Sequence, residues 1–300
     1  MRAIFLAAAI TIAITTTSQV SIAYTEKIYS ADNKNLKVAG FASDASFVLL
    51  TTDEYKGLSK LDTKNKLITP ITDKKDAGYN CHITNDNKSV IFKETYETTN
   101  GEEYSAFIEY NLSEQKRHMA YMPYISAEKT DFSNRLITLI NLQRLKLEKK
   151  QTPTIASTRK LQLLLTQGID TKVLSPNGQD QSYIWVSLSP DGKKVCYYVT
   201  GHGCYICDIS GDNIQFMSRY YINAKWLNND ILTATEIRTD DSNTHSSRLV
   251  AFTTKAEKTP LTKYYNGTIS QYPAGKSEQI AYSDNNGAIY IIHLITHKNF

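Results

Sequence analysis

The chain has 300 residues, 34 Lys and Arg against 30 Asp and Glu for a net charge of +4, 20 tyrosines and four cysteines. Its basic residues are scattered apart from LQRLKLEKKQ (142–151), which excludes the basic stripe that nucleic-acid binding needs. Four cysteines are too few to frame a disulfide-built fold, so the core has to come from apolar burial.

At the N-terminus Arg2 precedes an apolar run, AIFLAAAITIAI (3–14), and a polar stretch ends in Ser21-Ile22-Ala23. This is the form of a secretory signal peptide over 1–23, cleaved after Ala23. The run is short for a membrane span, and no cysteine adjoins the cleavage point to take a lipid anchor. The expectation is an exported mature chain, 24–300, periplasmic or secreted, monomeric and without a membrane span.

From there one unit repeats six times. Its clearest copy is WVSLSPDGKKVCYYVTGHGCYICDISG (185–211): a strand, a Ser-Pro-Asp-Gly turn, a β-rich run, a Gly turn and another strand, completed by IQFMS (214–218). The runs are short, rich in Val, Ile, Thr and Tyr, and bounded by Gly, Pro, Asn and Asp, which reads as strand rather than helix. Second strands are expected to begin at 47, 89, 136, 195, 231 and 279. The mean spacing of about 46 residues is that of four-stranded propeller blades. The fold expected is an all-β, six-bladed β-propeller, with blades at 38–72, 79–122, 124–175, 183–218, 222–262 and 268–294. The sixth unit lacks a fourth strand, and EKIYS (26–30) has no blade of its own. It should pair beside 288–294 and close the ring, which leaves no exposed edge.

Residues Ser189 to Lys193, Tyr205 and Asp208 to Gly211 give this unit a resemblance to the repeat of TolB-type β-propellers. The resemblance covers the propeller only. The N-terminal α/β domain of TolB has no counterpart here, and neither has the hydrolase domain of the prolyl-oligopeptidase-type peptidases whose propellers share the repeat. Polysaccharide lyases on propellers with TolB-like repeats supply an enzyme alternative.

Within the unit, Pro190, Asp191 and Gly192 have the chemistry of a turn. Cys204 and Cys207 form a Cys-x-x-Cys, but i and i+3 on a strand point to opposite faces, which is poor geometry for a shared metal. If Gly201-His202 is a two-residue turn, Cys196 faces Cys207, within reach of a disulfide in an exported protein. A Cys196–Cys207 bridge and ordinary buried thiols therefore stand as alternatives. The histidines have no metal-ligand spacing, and no cofactor or metal is expected.

The tyrosines gather at the junctions between units, among them Tyr79, Tyr124, Tyr183, Tyr221 and Tyr265. In a propeller these junctions share a face with the loops between second and third strands. Those loops are expected to be long at 95–105, 142–160 and 237–247. Long loops on a rigid scaffold, and tyrosines that combine contact area with a polar tip, suit protein or glycan recognition. Space-filling between blades is the other role open to these tyrosines. The function expected is a non-catalytic scaffold binding a protein or glycan partner through this face. The alternative is a carbohydrate-active, polysaccharide lyase-like enzyme with its site at the central channel.

Overall fold

The structure, a computed structural model, describes residues 20–30, 36–120, 154–167, 170–239 and 244–296. Among these the regular structure is entirely β, in six antiparallel sheets arranged as a six-bladed propeller. Strand β1 (Val20–Tyr29) precedes the first blade, which is β2 (Leu36–Phe41), β3 (Phe47–Thr52), β4 (Leu58–Asp62) and β5 (Ile68–Thr72). The second is β6 (His82–Ile83), β7 (Ser89–Glu97), β8 (Glu103–Asn111) and β9 (Lys116–Ala120). Three strands of the third are described: β10 (Thr154–Arg159), β11 (Gln162–Gln167) and β12 (Asp170–Leu174). The fourth is β13 (Tyr183–Leu188), β14 (Lys194–Val199), β15 (Gly203–Asp208) and β16 (Gln215–Ser218). In the fifth, β17 (Tyr221–Trp226), β18 (Ile231–Thr239), β19 (His245–Thr253) and β20 (Lys258–Pro260) are joined by β21 (Tyr265–Asn266), which pairs with β19. The sixth is β22 (Ser270–Ala274), β23 (Gln279–Ser283), β24 (Ile289–Thr296) and, last, β1.

The turn between first and second strands is built the same way in several blades. Ser189 Oγ donates to Asp191 Oδ1 at 2.7 Å, and Asp191 Oδ1 and Ser189 Oγ receive the amides of Lys193 and Lys194. Thr84 and Asp86 repeat the motif in the second blade, with Asn87 at positive φ where the fourth has Gly192. These polar side chains satisfy the turn's own amides, so their role is architectural.

Apolar packing lies between blades. One cluster joins Leu49 and Leu58 of the first blade to Phe92 and Ile108 of the second. Another joins Cys204 and Ile206 of the fourth to Trp226 and Phe252 of the fifth. A third sets Leu249 and Ala251 of the fifth against Ile280, Ile292 and Val20 of the sixth. Each blade is buried on two faces only because it has two neighbours.

Two expectations are corrected. The expected second strand of the third blade, 136–141, lies outside the described residues; the strand that pairs with β11 there is β10, through Arg159↔Gln162, within what was expected to be loop. The two-residue turn between them, Lys160-Leu161, has both residues at positive φ (49° and 62°). Such a turn normally takes Asn-Gly, so its sequence gives no signal, and the segment looked like the end of a long loop. The closing strand is also longer than 26–30: β1 runs antiparallel to β24 from Val20↔Thr296 to Tyr29↔Ile289. Residues 295 and 296 belong to β24.

The cleavage expected after Ala23 falls inside β1. Val20, 2% exposed, packs in the core of the fifth and sixth blades. A chain beginning at Tyr24 gives up that burial and is expected to lose about 2 kcal/mol relative to one beginning at Val20, which is roughly 5 °C in melting temperature for a domain of this size. Thermal unfolding of the two chains measures it. Equal melting would mean that Val20–Ala23 add nothing to the folded sheet.

Candidate functional site

The junctions between blades and the hairpins between second and third strands do lie on one face, because they are hydrogen-bonded to one another. Gly78 N donates to Tyr55 O, Gly57 N to Lys74 O, Tyr183 N to Leu161 O, and Gly267 N to His245 O. What the sequence presents as long loops is largely strand. β7 and β8 pair without interruption from Ser89↔Asn111 to Glu97↔Glu103, and β18 and β19 from Ile231↔Thr253 to Thr239↔His245. Each of these strands has nine residues, where the second strands of the first and fourth blades have six. The extra three add about 10 Å of ribbon. The second and fifth blades stand opposite one another in a six-membered ring, so two tall hairpins flank the axis. The third expected loop, 142–160, is strand and tight turn from 154 onward; its remainder lies outside the described residues.

The same two blades carry buried carboxylates at equivalent positions. Glu94 accepts from Thr72 Oγ1 at 2.6 Å, Arg117 Nη2 at 2.5 Å and the Tyr96 hydroxyl. Glu236 accepts from Arg248 Nε at 2.6 Å, Lys258 Nζ at 2.9 Å and Tyr264 OH at 3.1 Å. Burial pushes the Glu236 carboxyl up, but the bonds from Lys258 and Arg248 outweigh it and hold the group below its ordinary value. Fully paired carboxylates of this kind support the hairpins rather than do chemistry.

The five junction tyrosines separate. Tyr79 is 40% exposed and packs edge-to-face on Tyr55, also 40% exposed, with ring centroids 5.2 Å apart. Tyr265 is half-buried, packed beside the core of the fifth and sixth blades. Tyr183 is buried completely, its hydroxyl donating to Gly178 O and accepting from Asn177 N. Tyr221 is buried against Phe252. These last two fill space between blades and offer no ring to a partner. Tyr124 lies outside the described residues.

Trp185 is an exposed aromatic that sequence reasoning missed. It occupies a bulge in β13 with φ +50° and is 41% exposed, its ring edge-to-face with Tyr198. The equivalent bulge in β17 holds Asn223, and the position before β6 holds Asn80, both at φ +52°. Asparagine tolerates this conformation and tryptophan does not. Tyr55, at φ +57°, is a second exposed aromatic so held. Backbone strain spent on presenting aromatic rings is a mark of a functional surface.

Below this level the first strands form a ring around the axis, and one rung of it can be read off the pairing register. Gly40 opposite Leu49, His82 opposite Ile91, Ser187 opposite Cys196, Lys225 opposite Thr233 and Tyr272 opposite Ala281 are equivalent positions in five blades. Lys225 Nζ donates to Asn223 Oδ1 and to Gln271 O, both at 3.0 Å, and lies 3.8 Å from the centre of the Tyr272 ring. Gln271 is itself fixed: its amide donates to Asn223 O and its oxygen accepts from Thr233 Oγ1. Surrounding protein pulls the Lys225 ammonium down to about 7, lowers His82 and raises the Cys81 thiol to about 12, burial being the leading cause in each. Among the described residues no group of three or more His, Cys, Asp or Glu is placed to hold a metal ion.

The cysteines follow the corrected hairpin. Val199 pairs with Gly203, so the turn has three residues, Thr200-Gly201-His202, and Cys196 faces Ile206 rather than Cys207. The cause is Gly203. Its φ is +134°, and a Cβ there would meet Ser218 O at 2.6 Å, so this glycine belongs to the strand and not to the turn. Cys207 lies on the other face of the sheet, and all four cysteines are free thiols. The sulfurs in contact are those of Cys196 and Cys204, 3.6 Å apart. That contact and burial push the Cys196 thiol well above its ordinary value, and burial raises Cys207 to about 12, which makes both inert at neutral pH.

No family model matches the chain, and no curated protein matches it. Solved structures that resemble it include the following two. An oligogalacturonate lyase from Vibrio parahaemolyticus is 12% identical with a TM-score of 0.43, over 84% of this chain and 76% of that one. TolB from Acinetobacter baumannii is 13% identical with a TM-score of 0.46, over 88% of this chain and 55% of that one. The chain thus spans about half the length of that TolB.

Two outcomes are expected. Trp185→Asn should leave stability unchanged or raise it by up to about 1 kcal/mol, because the strain is relieved; a loss above about 2 kcal/mol in denaturant unfolding would make Trp185 a packing residue. Oxidation of unfolded protein during refolding, followed by peptide mapping, should yield Cys196–Cys204 as the intramolecular bridge; a Cys196–Cys207 product would contradict the register.

Proposed function

We propose that this chain is an exported, non-catalytic scaffold that holds a protein or glycan partner against the hairpin face of its propeller. The observation that carries this reading is the exposed Tyr55–Tyr79 pair. Its two loops are tied by Gly78 N to Tyr55 O, so the rings meet a partner already ordered, at little cost in conformational entropy. Trp185 and Tyr220 add exposed aromatic surface on the same side. Export rests on the N-terminal apolar segment, and no helix among the described residues is long and apolar enough to cross a membrane. The enzyme alternative would need acid, base or metal-binding groups converging at the axis. The rung described there supports a ligand contact more than a reaction, since His82 and Lys225 are joined in it by Gly40, Ser187 and Tyr272.

With the mature protein immobilised against the native envelope or secreted fraction, the Tyr55→Ala/Tyr79→Ala double variant should bind the captured partner roughly 10- to 100-fold more weakly, with its melting temperature unchanged. Equal affinity would remove this pair from the interface.

A further inference from the structure

Lys225 has no counterion among the described residues. Among the described residues no Asp or Glu oxygen lies within 4.0 Å of its Nζ. Its neighbours are a neutral amide oxygen, a backbone carbonyl and the face of a phenol ring. An ammonium has three donor hydrogens, and these contacts use two. Placing a charge among neutral groups away from bulk water is costly unless an opposite charge joins it. Lys225 keeps partial exposure although protein surrounds it, as expected for a group reached along the axis. His82, from the opposite blade, stands on the same rung.

We propose that Lys225 anchors an anion site on the propeller axis, and that its ligand is a carboxylate entering from the hairpin face. One ammonium matches a single negative charge. A dianion such as sulfate would leave a charge unneutralised in a poorly solvated site. Asn223 and Gln271 hold the lysine in place through their fixed oxygens, and Tyr272 supports its charge through the ring face. Among the described residues, the titratable groups near the site include Tyr272 and Cys81, both pushed up by burial and so neutral at ordinary pH, His82, shifted down by burial, and Tyr55, which acts on Tyr272. Binding should therefore follow the protonation of Lys225 and weaken as pH rises through about 7.

The site is independent of the aromatic pair above it and is tested without a protein partner. Calorimetric titration of the full mature chain near pH 6.5 (about the ordinary histidine value) would use N-acetylglycine for a chain terminus, glucuronate for a sugar acid, and inorganic sulfate as the dianion. Saturable binding of either carboxylate is expected. It should fall by about tenfold or more in Lys225→Met, persist in Lys225→Arg and be unchanged in the exposed control Lys255→Met. Binding of one carboxylate alone supports the site and tells which source it takes. Should Lys225→Met not fold, the Lys225 Cε resonance of the wild-type protein serves instead: its titration midpoint should rise when the carboxylate is added. An unmoved midpoint, no carboxylate binding by the wild type, undiminished binding by Lys225→Met, or sulfate binding tighter than both carboxylates would overturn the proposal.

Discussion

Everything in this protein depends on the ring being closed. Its hydrophobic clusters lie between blades, so a blade missing one neighbour would leave an entire apolar face in water. The pairing of β1 with β24 turns a row of sheets into a ring by taking a strand from one end of the chain into the blade built by the other. Close to the axis the same seam is stitched by Ser270 Oγ donating to Val38 O at 2.7 Å and Ser283 Oγ accepting from Val38 N at 3.3 Å. Similar bonds join other neighbours: Cys81 to Ala39 O, Trp226 Nε1 to Ser187 O, and Gln271 to Asn223 O. Side chain to backbone contacts between first strands fix the ring's inner wall, and a fixed wall lets single residues at the axis be held to an ångström.

That rigidity explains how polar and strained features persist at the centre. A lysine among neutral oxygens and a tryptophan at positive φ are each unfavourable locally. They stand because the surrounding sheets leave them no alternative. Opposite blades contribute matching parts: the tall hairpins, the buried glutamates beneath them, and the two basic residues of the axial rung. The molecule thus has an approximate two-fold character laid over its six-fold repeat, and the features that break the repeat all point to the axis and the face above it.

The repeat was legible because turns and strands are local. Ser-Pro-Asp-Gly makes its turn from its own side chains, and strand runs between turn residues are visible without any partner. The same locality explains the misses. Lys160-Leu161 forms a turn that its residue types disfavour, so the strand before it, β10, reads in the sequence as the end of a loop. The hairpins at 97–103 and 239–245 looked like loops because polar sequence says nothing about whether a ribbon keeps pairing beyond the core. One residue more in the turn after Val199 moved Cys207 to the opposite face, since side chains alternate along a strand and register cannot be in error by one without inverting them.

By itself the sequence determined the class of fold, the number of blades and the use of an N-terminal strand to close the ring, because these follow from the period of short strands and from counting them. Only the tertiary structure decided which tyrosines face solvent, which sulfurs touch and what meets at the axis. Tyr79 and Tyr183 occupy similar places in the repeat, yet one is exposed and the other buried, because burial depends on the neighbouring blade. Lys225, Gln271 and Tyr272 are unremarkable in the chain. Their meeting is a property of closure, which brings together strands from separate blades that no local pattern connects.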